Sequence, residues 1–274
     1  MSKKSPFETD NVNEISHSKY QLDYDNPIRK QIDRDWRKVN RYLDKNFVKK
    51  FRSGFFSRLW EIEMATILLK NNFQVEPAEG SNFPDFIIKH ENKNVYVEVY
   101  LPEIDSYKKR ACERSSSGFI DWEEFITKLQ KKVKSKKKTE EHIKESSYIL
   151  ALSMEQVLPY PKFEKVIEAI TGLKHEHCVY LDPESDEFSE EQVLSFNQSK
   201  EILSFEKNSH IAAIYVKPKS KYSTSISNRK EQFSDGLLIL NPSAKYPLNQ
   251  NFYSKFDYMK YDNLGYKIVP QSMK

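Results

Sequence analysis

The polar and apolar positions of the chain change period several times, and those changes divide it into elements. From Ile32 the segment IDRDWRKVNRYLDKNFVKKF sets Trp36, Val39, Leu43, Phe47 and Phe51 at steps of three and four, which predicts an amphipathic helix closed by Ser53 and Gly54. The next segment, FFSRLWEIEMATILLKNN, is apolar on more than one side and predicts a second, well-buried helix from Phe55 to about Asn71. A short strand follows at Phe73 to Pro77, then the loop AEGSNFP. The runs DFIIKH and VYVEVYL then read as a β-hairpin joined through Glu91, Asn92, Lys93 and Asn94. Asp121, with Glu124 three residues later, predicts the cap of a helix running from Trp122 to about Ile143. Beyond it, strands are predicted at residues 148–154, 177–182, 211–216 and 236–241, with a helix at 163–173. Strands alternating with helices predict an α/β (α+β) domain with a mixed central sheet flanked by helices.

Residues 1–30 lack periodicity and read as a flexible N-terminal arm. Residues 31–155 carry the expected core, and 156–274 a C-terminal α/β extension packed on it. A chain of 274 residues with 38% hydrophobic side chains can bury a sizeable core. Its apolar runs fall short of the roughly 20 residues of a spanning helix, and Met1 to Asp10 lacks the apolar stretch of a signal peptide, so a cytoplasmic protein without a membrane partner is expected. Two cysteines fit a reducing compartment.

The net charge of +4 is mild, but seven lysines fall between Lys128 and Lys138, on the helix predicted from Trp122. That density suits either a phosphate backbone or a solvated helix face. The 6 glycines form no phosphate-cradling loop, which disfavours ATP or NAD chemistry. His175, His177 and Cys178 lack a partner set and read as a strand edge rather than a zinc site. The aromatic run Phe252, Tyr253, Phe256, Tyr258 and Tyr261 reads as packing rather than base stacking.

Candidate chemistry gathers between residues 55 and 101. In VYVEVYL, Val95, Val97, Val99 and Leu101 share one face, expected to be core, while Tyr96, Glu98 and Tyr100 share the other. A two-residue hairpin loop sets Asp85 directly opposite Glu98, and a four-residue loop sets it diagonal to Glu98. Either register leaves both carboxylates on one face. Like charges so close repel unless a cation such as Mg²⁺ neutralises them. Glu61 lies on an apolar stripe with Met64, Ala65 and Leu68, so it needs a partner, either the same cation or Arg58. Glu63, beside Thr66 and Lys70, reads as an ordinary exposed glutamate.

Glu61 on its helix, then Pro84-Asp85, then Glu98, in the order αβββ, resembles the PD-(D/E)XK, or restriction-endonuclease-like, superfamily. More narrowly, WEIEMATILLKNNF, FPDF, YVEVYLP and the tail NPSAKYPLNQNF resemble a bacterial group within it that has WE, PDF and (I/V)EA-P motifs. The resemblance implies a restriction-endonuclease-like αβββαβ core, metal binding (Mg²⁺ or Mn²⁺) by Asp85 and Glu98, and Glu61 as a catalytic residue. Tyr100 stands where the superfamily has its lysine. The narrower group carries a lysine on the following helix, which here implies Lys132, with Lys128 or Lys136 as alternatives. Lys128, Lys131, Lys132 and Lys136 would bind nucleic acid. The resulting expectation is a Mg-dependent nuclease hydrolysing phosphodiester bonds in DNA, with RNA less favoured. Two alternatives stand beside it: a catalytically degenerate protein of the same fold that binds nucleic acid or a protein partner without cleavage, and a structural helper whose acidic residues form internal ion pairs.

Overall fold

The computed structural model describes residues 5–7, 26–51, 54–77, 83–102, 122–136, 145–155, 166–167, 170–171, 173–181, 188–196, 208–217, 220–222, 236–262 and 265–271. Helix α1 (Pro27–Val39) starts where the Asn26 side chain accepts the Ile28 N–H at 2.8 Å, and Pro27 fills the first helical turn, where no N–H partner is needed. It begins inside the stretch expected to be a flexible arm, and it buries Ile32, Trp36 and Val39.

The long helix expected from Ile32 to Phe51 is broken. A 3₁₀ turn occupies Asn40–Tyr42, Leu43 is extended, and a short helix α2 (Phe47–Phe51) follows. Asp44 explains the restart: its side chain accepts the Asn46 N–H at 2.8 Å and the Lys50 ammonium at 2.8 Å. Such a local side-chain bond offers the backbone an alternative to the continuing helix. The apolar spacing survives the break because Trp36, Val39, Leu43, Phe47 and Phe51 all enter one core. Helix α3 (Phe55–Lys70) is buried on almost every side, as its composition predicts.

Eight strands form one mixed sheet in the order β1-β2-β3-β4-β7-β8-β9-β10. They are β1 (Gln74–Pro77), β2 (Phe86–His90), β3 (Lys93–Tyr100), β4 (Ser147–Ser153), β7 (Ala213–Lys217), β8 (Leu237–Leu240), β9 (Tyr258–Asp262) and β10 (Gly265–Val269). β3, β4 and β7 run parallel to one another, and β2 is antiparallel to β3. Helix α4 (Trp122–Lys136) lies between β3 and β4 in the chain, the crossover that parallel neighbours require. The pairing of β4 with β7 carries the sheet across residue 155, so residues on both sides of that position share one core. β5 (Leu173–Leu181) and β6 (Phe188–Phe196) form a separate antiparallel pair.

Both faces of the main sheet are covered. Val95, Val97, Ile149 and Ala151 pack with α1, α2 and α3, while Tyr96, Leu150 and Leu152 pack with Phe125, Leu129 and Val133 of α4. The face of β3 that bears Glu98 is therefore also core, because α4 roofs it. Of the helix expected at 163–173, the described residues Val166, Ile167, Ile170 and Thr171 are helical, and Leu173 instead opens β5. Asp121, the expected cap of α4, and residues 137–144 lie outside the described residues. Among the described residues no helix is long and apolar enough to cross a membrane.

Candidate functional site

The hairpin turn fixes the site. Glu91 and Asn92 adopt positive φ values of 47° and 63°, the two-residue turn whose twist matches the flanking strands. Glu91 is held there by Asn249 and Asn251, whose side-chain amides donate to its carboxylate at 2.5 and 2.6 Å. The resulting register pairs Phe86 with Val97, which sets Asp85 opposite Glu98, as the shorter-loop alternative requires. Asp85 retains some surface as a residue, but its carboxylate turns inward and accepts the Val99 N–H at 2.7 Å.

Glu98 is only 7% exposed and receives the Lys132 ammonium at 2.5 Å. Lys132 also sits 5.1 Å above the ring of Tyr100. The Tyr100 hydroxyl donates to the Lys128 carbonyl at 3.3 Å. Tyr100, Lys132 and Glu98 thus form one contact between β3 and α4. Lys128 pairs with Glu124 one turn back along α4 at 2.5 Å, Lys131 is exposed, and the side chain of Lys136 lies outside the described residues.

From the opposite side, α3 supplies Glu61, whose carboxylate accepts from the Arg58 guanidinium at 2.7 Å. The Arg58 partner weighed from the sequence is therefore present. Burial pushes the Glu61 carboxyl up to about 8, with the Asp85 charge adding to the shift and Arg58 only partly opposing it. Burial, together with the Glu98 charge, pushes Asp85 up to about 6 against the Val99 N–H, Arg58 and Lys132. Asp85 thus links the other two carboxylates electrostatically, with burial as the larger cause of both shifts. The buried Tyr148 hydroxyl finds no partner of acceptable hydrogen-bond geometry, and burial followed by the Glu98 and Asp85 charges raises its pKa.

Carboxylates are the hard oxygen donors that Mg²⁺ or Mn²⁺ prefers, so the donor set fits such an ion in kind. As they stand, no three His, Cys, Asp or Glu side chains among the described residues converge into a metal-holding group. Glu98 faces Lys132 and Glu61 faces Arg58, so each of these carboxylates meets a protein cation.

A second buried polar cluster lies further along α3 and was not expected. Glu63, read as exposed, is 0% exposed. It accepts from the Ser220 hydroxyl at 2.6 Å and the Lys221 N–H at 3.0 Å, and the Lys217 ammonium lies 3.2 Å away. Nearby, Asp35 accepts from Gln31 at 2.9 Å and Tyr222 at 3.0 Å, and pairs with Lys221 at 3.1 Å. Burial alone would raise the Asp35 pKa, but these hydrogen bonds and the Lys221 charge outweigh it and hold the carboxyl low. Sequence spacing around Glu63 gave no sign of this cluster, because its main partners lie more than 150 residues away.

The fold and the site together define a mixed α/β protein whose central sheet is flanked by helices and in which the β2–β3 hairpin and α3 bring buried carboxylates together. Comparison with protein-family models, with curated proteins and with solved structures returned no match.

Proposed function

We propose that this protein is a divalent-metal-dependent nuclease of the restriction-endonuclease-like class, acting on DNA in preference to RNA. The observation that carries this reading is the row Glu61, Asp85 and Glu98, the first from within α3 and the other two at the open end of the hairpin, with Lys132 against Glu98. Two of the three carboxyls are pushed well above the ordinary carboxylate range, mainly by burial and further by a like-charged neighbour, a perturbation of the kind that clusters at functional sites. The element order α3, β1, β2, β3, α4, β4 is compatible with the αβββαβ core of that class.

In this reading Asp85 and Glu98 hold Mg²⁺ or Mn²⁺. Such an ion supplies Lewis-acid stabilisation of the developing phosphorane and lowers the pKa of attacking water. Lys132 moves off Glu98 Oε1 and orients the attacking water or stabilises the charge of the transition state. Glu61 keeps Arg58 beside the site. Lys131, with Lys128 and Lys136, follows the phosphate backbone.

A second reading is favoured by Tyr100 in the superfamily's lysine position and by the Lys132–Glu98 ion pair, which already neutralises one candidate ligand. It is a protein of the same fold that binds nucleic acid without cutting it. Plasmid, linear and single-stranded DNA and RNA, incubated with Mg²⁺ and Mn²⁺, separate the two readings. The nuclease reading expects cleavage that disappears in Asp85→Ala, Glu98→Ala and Lys132→Ala proteins that retain the native melting temperature. Equal background cutting in all of them would overturn it, and retained binding would leave the second reading.

A further inference from the structure

Tyr148 is 3% exposed, and its buried hydroxyl has no hydrogen-bond partner among the described residues. A phenylalanine would pack the same ring and strand no polar atom, so the oxygen calls for an explanation. Its surroundings limit the choice. The parallel register of β3 and β4 sets Tyr148 beside Tyr96, and Leu150 beside Glu98. Side chains two apart on a strand share a face, so Tyr148 and Leu150 stand with Tyr96 and Glu98 on the face that α4 covers. The Tyr148 ring belongs to the core that Phe125, Leu129 and Val133 close from α4. Glu98 lies one strand across and two residues further along, about 7 Å in the strand direction.

The charges that bear on this hydroxyl are those of Glu98 first and Asp85 second, after burial itself. The polar end of Tyr148 is thus turned toward the hairpin carboxylates. A phenol is an O–H donor at neutral pH, and the two negative charges keep it one. Its natural acceptor is engaged on the other side. Glu98 Oε1 meets the Lys132 ammonium at 2.5 Å, a cation that α4 brings from the facing layer.

Resting on the nuclease reading, we propose that Tyr148 is a positioning residue for the metal ligand Glu98: when Lys132 withdraws, the Tyr148 hydroxyl donates to the Glu98 carboxylate and holds it toward the ion. The unbonded hydroxyl is then a donor kept in reserve for the loaded site. Carboxylates that ligate metals are themselves hydrogen-bonded, and loss of such an outer partner weakens metal binding by about 10–100-fold. Tyr148 touches neither ion nor substrate and acts through Glu98 alone.

The experiment compares wild type with Tyr148→Phe, both as full chains, by titration with Mn²⁺ followed by electron paramagnetic resonance and by thermal melting in EDTA. Mn²⁺ should bind Tyr148→Phe about tenfold or more weakly than wild type. In EDTA the same variant should melt at or above the wild-type temperature, because it loses an unbonded hydroxyl and no contact. That combination separates positioning from packing. A merely structural tyrosine would lower the melting temperature in EDTA and leave the Mn²⁺ affinity alone. Equal Mn²⁺ affinity in the two proteins would overturn the positioning role and leave the metal reading intact. A lower melting temperature for Tyr148→Phe in EDTA would also overturn it, because the hydroxyl would then be bonded without the ion. Absence of Mn²⁺ binding by the wild type would overturn the metal reading itself, and this proposal with it.

Discussion

Replacing Glu63 by alanine should destabilise the protein more than any change at the hairpin carboxylates. Glu63 is 0% exposed, and the Lys217 side chain facing it at 3.2 Å is 5% exposed, so neither charge has water to fall back on. Removing one partner of a buried ion pair costs about 3–5 kcal/mol, because the other charge stays buried without it. The Ser220 hydroxyl and the Lys221 N–H lose their acceptor as well. With a urea m-value of about 1–3 kcal/mol per M, the unfolding midpoint should fall by roughly 1 M or more. Glu63→Gln, which keeps an acceptor for Ser220 and Lys221 but lacks the charge, should fall between wild type and alanine. The double variant Glu63→Leu/Lys217→Met should recover much of the loss, since it removes both charges together. A Glu63→Ala midpoint that corresponds to less than about 1 kcal/mol would refute the argument, because it would mean that Lys217 reaches water or another partner at little cost.

Two further outcomes follow from the same structure. The folded pKa values of Glu61 and Asp85, about 8 and about 6, lie above the ordinary values of 4.5 and 3.8, so the native state holds protons that the unfolded chain releases. Stability from these groups is complete below about pH 4 and is lost as pH rises through about 6 for Asp85 and about 8 for Glu61. Melting in EDTA should therefore move to lower temperature between pH 5 and 8.5, and Glu61→Gln should flatten the upper part of that fall; an unchanged slope in the variant would count against a protonated Glu61. Gly236→Ala should cost about 1–3 kcal/mol by urea denaturation, because φ is +93° there and an added Cβ would meet the Tyr215 hydroxyl at 2.5 Å. A neutral effect would show that β8 can shift away from Tyr215.

Much of the hairpin was legible because its rules are local. Side-chain alternation alone places Glu98 and Asp85 on one face in either register, and only the loop length had to come from the structure. Three other features were not legible, each for a physical reason. The helix break at Asn40–Tyr42 is hidden because five apolar residues keep their spacing while the backbone changes. Glu63 sits on a helix buried nearly all round, where helical neighbours such as Thr66 and Lys70 report little about exposure; its partners come from the segment after β7. Strands β9 and β10 went unread because their polar and aromatic residues, KYD and GYK among them, lack clear alternation.

Tyr100 connects the legible part to the rest. A lysine at that position would project its ammonium from β3 directly toward Glu98. Here the phenol instead bonds the Lys128 carbonyl, and its ring lies under Lys132, so the strand contributes the support and the helix contributes the charge. A charge carried by α4 differs from one carried by a strand in a way that matters for function. It sits on the same helix as Lys128 and Lys131, so engagement of that helix by a polyanion and withdrawal of Lys132 from Glu98 act on a single rigid element. On the nuclease reading, backbone binding and release of a metal ligand are then mechanically linked, whereas a strand lysine would be blind to what α4 holds.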